Sequence, residues 1–203
     1  MPDATTTAPL RERKRRLLQR EIIELALRHI TDHGYDTSTV DEIAHAAGVS
    51  RRTFFRYFPT KEDVVIGYFD EIGSDLRAAL AARPADEPPL IAIRRTFTQM
   101  LERHGTDRDL VLTLCQLTEH TPALRARQVD KQDRWRSAIV DVIAERTGGN
   151  PLDPQIQLLG RVALAVFDVS LRDWALRGGV DEVALLVDQT FDLLTELIRQ
   201  SGR

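Results

Sequence analysis

The chain has 203 residues with one cysteine, 42% hydrophobic and 29% charged residues, and a formal net charge of −3. This composition supports a sizeable core and excludes collagen-like, low-complexity and wholly disordered chains. A single cysteine excludes an internal disulfide, no apolar run approaches the ~20 residues that cross a bilayer, and the N-terminus is polar, so we expect a cytoplasmic protein without membrane contact.

The first part of the chain predicts three helices behind a disordered arm. Residues 1–10 lack periodicity and predict the arm. Beyond them, apolar residues recur at three- and four-residue steps, and Gly34 can end this first helix in a left-handed cap. Two short helices follow, with start signals at Thr39 and Ser50 and a sharp turn at Gly48 between them.

Six longer helices are predicted after this point. Pro59 blocks continuation of the preceding helix, and the fourth helix runs from about Lys61 to Ala82. Apolar periodicity then predicts five more helices, separated by breaks that contain Pro or Gly. Among them, residues 110–117 are apolar nearly all round, which predicts a helix buried on every side. We find no strand pattern, so the predicted fold class is all-α with about nine helices.

The stretch 37–61 predicts a helix-turn-helix motif. Two short helices joined by a tight glycine turn are typical of this DNA-binding unit, whose second helix places its first residues against base edges in the major groove. Here those residues are Arg51, Arg52 and Thr53, with Arg56 one turn later. The first 61 residues hold 11 Lys and Arg against 8 Asp and Glu, whereas the rest of the chain holds 17 against 23, which favours a polyanion partner at this end.

One stretch of the chain resembles the DNA-binding domain of the TetR family of transcriptional regulators. It covers residues 34–65 and reads GYDTSTVDEIAHAAGVSRRTFFRYFPTKEDVV, and the resemblance extends from about Arg13 to Tyr68. The resemblance implies an all-helical homodimer with a three-helix DNA-binding domain, here residues 11–60, and a ligand-binding and dimerisation body, here residues 61–203. It also implies a repressor that binds a palindromic operator in double-stranded DNA and is released by a small molecule.

The resemblance also assigns roles to single positions of the motif. Thr39 and Ser50 would cap helices and meet phosphate, and Lys61 would contact phosphate at the positive end of the fourth helix. Phe55 stands where many members have tyrosine, so its contact with DNA would be apolar. The full predicted DNA-binding set is Thr39, Ser50, Arg51, Arg52, Thr53, Phe55, Arg56, Tyr57 and Lys61.

The body is expected to dimerise and to bind a ligand. The last two helices carry apolar stripes wider than one core face requires, which favours a homodimer through them. Residues 119–146 resemble the bodies of a TetR subgroup associated with acyl-coenzyme-A-like ligands, so the expected effector is acyl-CoA-like or another apolar molecule. The predicted cavity lining, for which plain core packing is the alternative, is Phe97, Met100, Leu101, Leu114, Leu117, Trp135, Ile139, Phe167 and Trp174.

Basic residues outside the motif leave two readings open. The run from Arg11 to Arg20 either reaches DNA as a flexible arm or is a solubilising tail. Five basic residues of the 119–146 segment either meet ligand phosphates at a pocket mouth or form a solvated helix face, and the second reading is favoured. They are Arg125, Arg127, Lys131, Arg134 and Arg136.

No catalytic arrangement stands out, and we expect no enzyme activity, no cofactor and no metal. His29 and His33 have a spacing that can chelate a metal, but no third ligand stands nearby in the sequence. Two alternatives to a ligand-released repressor remain. One is a helical small-molecule-binding or catalytic protein with a vestigial helix-turn-helix, and the other is an activator or an architectural DNA-binding protein.

Overall fold

The computed structural model describes residues 10–104 and 107–201. Within these residues the chain forms nine helices and no strand, which confirms the predicted all-α class, and none of the helices is long and apolar enough to cross a membrane. The helices are α1 (Leu10–His33), α2 (Val40–Ala46), α3 (Arg51–Tyr57), α4 (Glu62–Ala81), α5 (Pro89–His104), α6 (Arg108–His120), α7 (Pro122–Thr147), α8 (Pro154–Leu176) and α9 (Val183–Ser201).

Two compact units make up the chain, and the division between them falls inside α4, between Tyr68 and Phe69. In the first unit α1 packs on α2, and α2 packs on α3. The core of this unit includes Ile22 of α1, Ile43 of α2 and Phe54 of α3, each with no exposed surface. Because α3 buries only Phe54 among its seven residues, its other side chains remain available to a partner.

Glycines with positive φ set the path between the first three helices. Gly34, at φ 86°, ends α1, and Gly48, at φ 66°, turns the chain from α2 to α3. Both positions lie in the left-handed region, which glycine enters without the steric penalty of a side chain. The tight turn that the sequence predicts is therefore a matter of backbone conformation at Gly48.

Side-chain caps begin both short helices. Thr39 Oγ1 accepts a hydrogen bond from the N–H of Glu42 at 3.3 Å, and the Glu42 carboxylate accepts one from the N–H of Thr39 at 2.8 Å. Ser50 Oγ accepts from the N–H of Thr53 at 3.1 Å. Each such cap contributes about 1 kcal/mol, a large share for a helix too short to be stable alone.

The second unit is a bundle in which α8 packs against α7 and α9, and α5 packs against α9. Aromatic side chains fill its centre: the ring centroids of Phe97 and Phe167 are 4.6 Å apart, and those of Trp135 and Phe167 are 5.9 Å apart. Gly73 of α4 allows a close approach, because a Cβ there would lie 2.5 Å from Trp135 Nε1.

The structure corrects one prediction about α6. Only Leu114 is buried in this helix, whereas Leu112 and Cys115 are half-buried, so the helix is not enclosed on every side. The physical reason is that α6 packs mainly against α7 and α8 and leaves its remaining surface uncovered by other described residues.

The ends of two helices differ from the predicted positions. Helix α1 begins at Leu10, which was predicted to belong to the disordered arm, and residues 1–9 of that arm lie outside the described residues. The basic run from Arg11 to Arg20 lies within α1, so it is helical and not a flexible arm. Helix α4 begins at Glu62, one residue after Lys61, because Thr60 caps it: the Thr60 hydroxyl accepts from the N–H of Asp63 at 3.3 Å.

Candidate DNA-binding face and ligand cavity

The outer face of α3 is exposed and basic. Arg51, Arg52 and Arg56 are all exposed there. Arg51 Nη1 lies 2.7 Å from Asp41 Oδ2 in an ion pair, whereas Arg52 has no hydrogen bond or ion pair to any other residue in the described ranges. Arg52 is therefore the arginine of this helix whose guanidinium is most available to an external acceptor.

Aromatic rings support the neighbouring arginines. The Arg51 guanidinium carbon lies 5.4 Å from the centroid of the Phe55 ring, which is 39% exposed, and that of Arg56 lies 5.1 Å from the centroid of Tyr57. Cation–π contacts of this kind restrict the guanidinium to one side of the ring. Phe55 therefore presents both an apolar surface and a positioned charge on the exposed face.

Lys61 lies against Tyr35. Its Nζ donates to the backbone carbonyl oxygen of Tyr35 at 2.9 Å and lies 4.1 Å from the centroid of the Tyr35 ring. Burial, and then the hydrogen bond that the phenol donates to Glu62 at 2.6 Å, raise the pKa of Tyr35, so the phenol stays protonated at neutral pH. The Lys61 ammonium has two further protons with which it can donate to a phosphate.

The nine residues predicted to line a cavity lie in or beside the core of the second unit. Eight of them are buried, and Leu117 is half-buried. Phe97 has no exposed surface and contacts Phe167 and Phe191. Contact of these residues with a ligand stays a prediction, and the cavity described next is lined by other side chains.

A cavity of 410 Å³ lies between α6, α7 and α8, with Phe69 of α4 at its wall. This volume falls within the range of small-molecule sites. Part of the lining is apolar, and the rest is polar or charged. The lining residues are Phe69, Cys115, Gln116, Thr118, Glu119, His120, Arg125, Gln128, Lys131, Gln132, Asp168, Leu171, Arg172, Ala175 and Leu176.

Lys131 is the unusual member of this lining, because it is a lysine with only 7% of its surface exposed. Its Nζ lies 4.1 Å from the ring centroid of Phe69 and 5.1 Å from that of Trp135. This ammonium makes no hydrogen bond or ion pair with another described residue. Burial lowers the pKa of Lys131 to about 8, although the nearby carboxylate of Asp168 opposes the shift.

Several other polar groups of the cavity already form hydrogen bonds or ion pairs. Arg172 Nη2 donates to Glu119 Oε1 at 2.9 Å, Arg125 donates to the Glu119 carbonyl oxygen, and Gln132 Nε2 donates to Asp168 Oδ1 at 3.4 Å. Burial raises the pKa of the Cys115 thiol to about 11, so this side chain is neutral at physiological pH. Lys131 is thus the charged group of the lining that lacks a described partner.

The sequence analysis missed the burial of Lys131, because it grouped this residue with the basic residues of a solvated helix face. Spacing was the available signal. Lys131 stands four residues before Trp135 and eight before Ile139, both of which are buried. Residues at these intervals share one side of a helix, so a lysine on the buried stripe of α7 could have been recognised.

Two other depressions in the second unit are less suited to a small molecule. One, of 530 Å³, is lined by Arg94 and Asp188 among others, and the second, of 540 Å³, by Arg77 and Asp141. In both places the charged side chains already pair with each other: Arg94 Nε lies 2.7 Å from Asp188 Oδ1, and Arg77 Nη1 lies 3.5 Å from Asp141 Oδ2.

An apolar surface runs along α8 and α9. The two helices pack against each other through buried residues that include Val166 and Val187. Several large apolar side chains on the same helices are nevertheless more than half exposed. They are Leu158, Val169 and Leu176 of α8 and Leu185, Leu193, Leu197 and Ile198 of α9.

Family models match both parts of the chain. A model described as bacterial regulatory proteins, tetR family, matches residues 22–67, and a model described as the MftR C-terminal domain matches residues 87–199. The first match contains the whole of α2 and α3. The second contains α6, α7, α8 and most of α9, and with them every residue of the cavity lining except Phe69.

Relatives of known description are similar over most of the chain. The HTH-type transcriptional regulator TcmR of Streptomyces glaucescens is 35% identical over 188 residues, which is 88% of this chain and 82% of that protein. The crystal structure of Thermus thermophilus FadR, a TetR family repressor in complex with lauroyl-CoA, has 25% identity, a TM-score of 0.59 and coverage of 88% and 93%. Bacillus subtilis FadR with stearoyl-CoA has 19% identity, a TM-score of 0.65 and coverage of 86% and 96%, and shows a similar fold.

Proposed function

The chain belongs to the TetR family of transcriptional regulators, and we propose that it represses transcription as a homodimer that leaves a palindromic operator when a small molecule enters the α6–α7–α8 cavity. The exposed, basic outer face of α3 carries the DNA-binding part of this proposal. We place this activity in the cytoplasm, where a bacterial regulator meets DNA.

Within the DNA-binding face, we assign base reading to Arg52 first. Its guanidinium is exposed and has no partner among the described residues, so it can donate two hydrogen bonds to guanine without breaking an existing contact. Arg51 would have to leave Asp41, and Lys61 fits a phosphate contact better because it is held beside Tyr35. The remaining residues of the predicted set would position the helix on the phosphate backbone.

Replacement of Arg52 with alanine tests this assignment. Two labelled duplexes of equal length are compared by fluorescence anisotropy at one salt concentration: the region upstream of the protein's own gene, and a random sequence. We expect Arg52→Ala to weaken binding to the first duplex by about 1–3 kcal/mol and binding to the random duplex much less. Arg28→Ala removes an exposed charge from α1 and serves as the matched control. Equal losses on both duplexes would show that Arg52 does not read sequence.

We further propose that the exposed apolar residues of α8 and α9 form the dimer interface. Groups of large exposed apolar side chains on neighbouring helices are typical of interaction sites. A twofold dimer covers the same patch on both protomers, and it would also place two α3 helices on one duplex. Two copies separated by about one helical turn, ~34 Å, can enter successive major grooves on one side of DNA.

Substitution of Leu193 with aspartate is expected to dissociate the dimer. Leu193 is 53% exposed in the single chain, so its replacement leaves the protomer fold intact but places a charge in the interface. Sedimentation velocity at micromolar concentration should show a dimer for the parent protein and a monomer for Leu193→Asp. Leu152→Asp is the control, because Leu152 is 79% exposed and lies in the loop before α8. A dimeric Leu193→Asp protein would place the interface elsewhere.

The ligand would act through α4. Phe69 belongs to this helix and lines the cavity, and the first turns of the same helix belong to the DNA-binding unit. A ligand that prefers one position of Phe69 can therefore bias α4 and change the spacing of the two α3 helices in the dimer. A coupling of about 1–3 kcal/mol is typical, and DNA then weakens ligand binding by the same factor. The lauroyl-CoA bound to the Thermus relative supports an acyl-CoA-like or another largely apolar ligand.

A further inference from the structure

We propose that the α6–α7–α8 cavity selects a small apolar acid, whose carboxylate or sulfonate group pairs with the ammonium of Lys131. This inference rests on the proposed function only for the location of the ligand site. It adds a chemical requirement: the ligand must bring an anionic oxygen group into the cavity, and a neutral molecule of the same shape must bind more weakly.

The position of Lys131 carries the inference. The residue is 7% exposed, its ammonium lies 4.1 Å from the ring centroid of Phe69 and 5.1 Å from that of Trp135, and it makes no hydrogen bond or ion pair with another described residue. Lysine is almost never buried without a partner, because removing an ammonium from water is costly unless another charge compensates for it. The two rings and the more distant Asp168 carboxylate compensate this charge only in part, so an anionic group of a ligand in the cavity can supply the missing hydrogen-bond acceptor.

The cavity also limits the chemistry and size of the rest of the ligand molecule. Phe69, Leu171 and Leu176 supply apolar surface to its wall. A volume of 410 Å³ accommodates an aromatic or short aliphatic body beside the charged group. Burial of both charges together strengthens their attraction, because the effective dielectric constant falls away from bulk water.

The charged residues of α6, α7 and α8 around the cavity determine how strongly it prefers an anionic ligand to a neutral one. Asp168 of α8 shares the cavity and would repel a ligand anion, but it already accepts a hydrogen bond from Gln132. On α6, Cys115 is neutral, and Glu119 is paired with Arg172 of α8. Arg125 of α7 and His120 of α6 are the remaining charged or titratable residues of the cavity lining. The net field at Lys131 therefore favours an anion, and Asp168 is the main opposing charge.

Two fluorescent probes of nearly the same shape test the charge requirement. The probe 8-anilinonaphthalene-1-sulfonate carries a sulfonate, and N-phenyl-1-naphthylamine lacks it. Their dissociation constants are measured at pH 7 with the full-length protein. We expect Lys131→Met to weaken binding of the sulfonate probe at least tenfold and to leave the neutral probe within about threefold. Asp168→Asn is expected to tighten the sulfonate probe, and Arg103→Met, which removes an exposed charge outside the cavity, should change neither.

A second comparison separates a free acid from the phosphates of a coenzyme A ester. Octanoate, methyl octanoate and octanoyl-CoA compete with the sulfonate probe for the parent protein and for Lys131→Met. The inference is supported if octanoate binds more tightly than its methyl ester to the parent protein and if this difference in affinity disappears in Lys131→Met. Octanoyl-CoA competition that survives Lys131→Met, together with equal binding of the acid and the ester, overturns it.

Failure of this inference can be told from failure of the proposed function. If neither probe binds, or if Lys131→Met affects both probes equally, the anion requirement is wrong. Operator binding without ligand is measured on the same proteins by anisotropy, and we expect Lys131→Met to leave it unchanged because Lys131 belongs to the second unit. If the parent protein does not bind the operator, the regulator proposal is contradicted instead.

Discussion

Replacement of Phe97 with alanine is expected to lower the free energy of unfolding by about 3–5 kcal/mol, the usual range for a large buried aromatic residue. Phe97 has no exposed surface and lies with its ring centroid 4.6 Å from that of Phe167 and 6.5 Å from that of Phe191. It therefore joins α5 to both α8 and α9. Its removal leaves a cavity that the surrounding helices, packed on every side, cannot close.

Urea denaturation followed by far-ultraviolet circular dichroism measures this loss. Leu152→Ala is the control, since Leu152 is 79% exposed and its truncation should change the free energy of unfolding by less than about 0.5 kcal/mol. The result also tests the sequence-based assignment of Phe97 to a ligand pocket. A stable Phe97→Ala protein with altered ligand response would support the pocket assignment, whereas a destabilised protein with an unchanged ligand response would identify Phe97 as a core residue.

The DNA-binding unit could be predicted from the sequence because its signals are local. The caps at Thr39 and Ser50 act within three residues, and the turn at Gly48 depends on one backbone angle. The start signal predicted at Ser50 agrees with a helix α3 that begins at Arg51. Contacts between residues far apart in the sequence could not be predicted, because sequence spacing does not specify them. The contact between Lys61 and Tyr35 is an example.

The cavity lining could not be predicted in the same way. Aromatic and methionine residues at helical spacing mark a buried stripe, but the pattern does not distinguish a packed stripe from one that faces a void. Trp135 packs against Phe167 and Gly73 in the core, while its neighbour Lys131 on the same side of α7 reaches the cavity. The difference arises from the position of α6 and of Phe69, which depends on tertiary packing.

Conversion of Lys131 to methionine should stabilise the protein at neutral pH, by about 3 kcal/mol. The pKa of Lys131 falls from its ordinary 10.5 to about 8 on folding, and each pKa step corresponds to about 1.4 kcal/mol between the two protonation states. Methionine has a similar length and no charge to bury, so it removes this penalty while it keeps the contacts with Phe69 and Trp135. Residues that serve a binding site at the expense of stability commonly show this behaviour.

The dependence on pH separates the charge of Lys131 from its packing. Between pH 8 and about 10.5 the unfolded chain holds a proton at Lys131 that the folded chain has released, so the stability contributed by this group rises with pH. The advantage of Lys131→Met should therefore be constant below pH 8, shrink as the pH rises beyond 8, and nearly vanish by about pH 10.5. Paired urea denaturations of the two proteins at each pH measure the difference, in which the titration of all other groups cancels. A stability difference that stays constant across this range would mean that methionine improves packing, and that burial does not destabilise the ammonium of Lys131 in the folded protein.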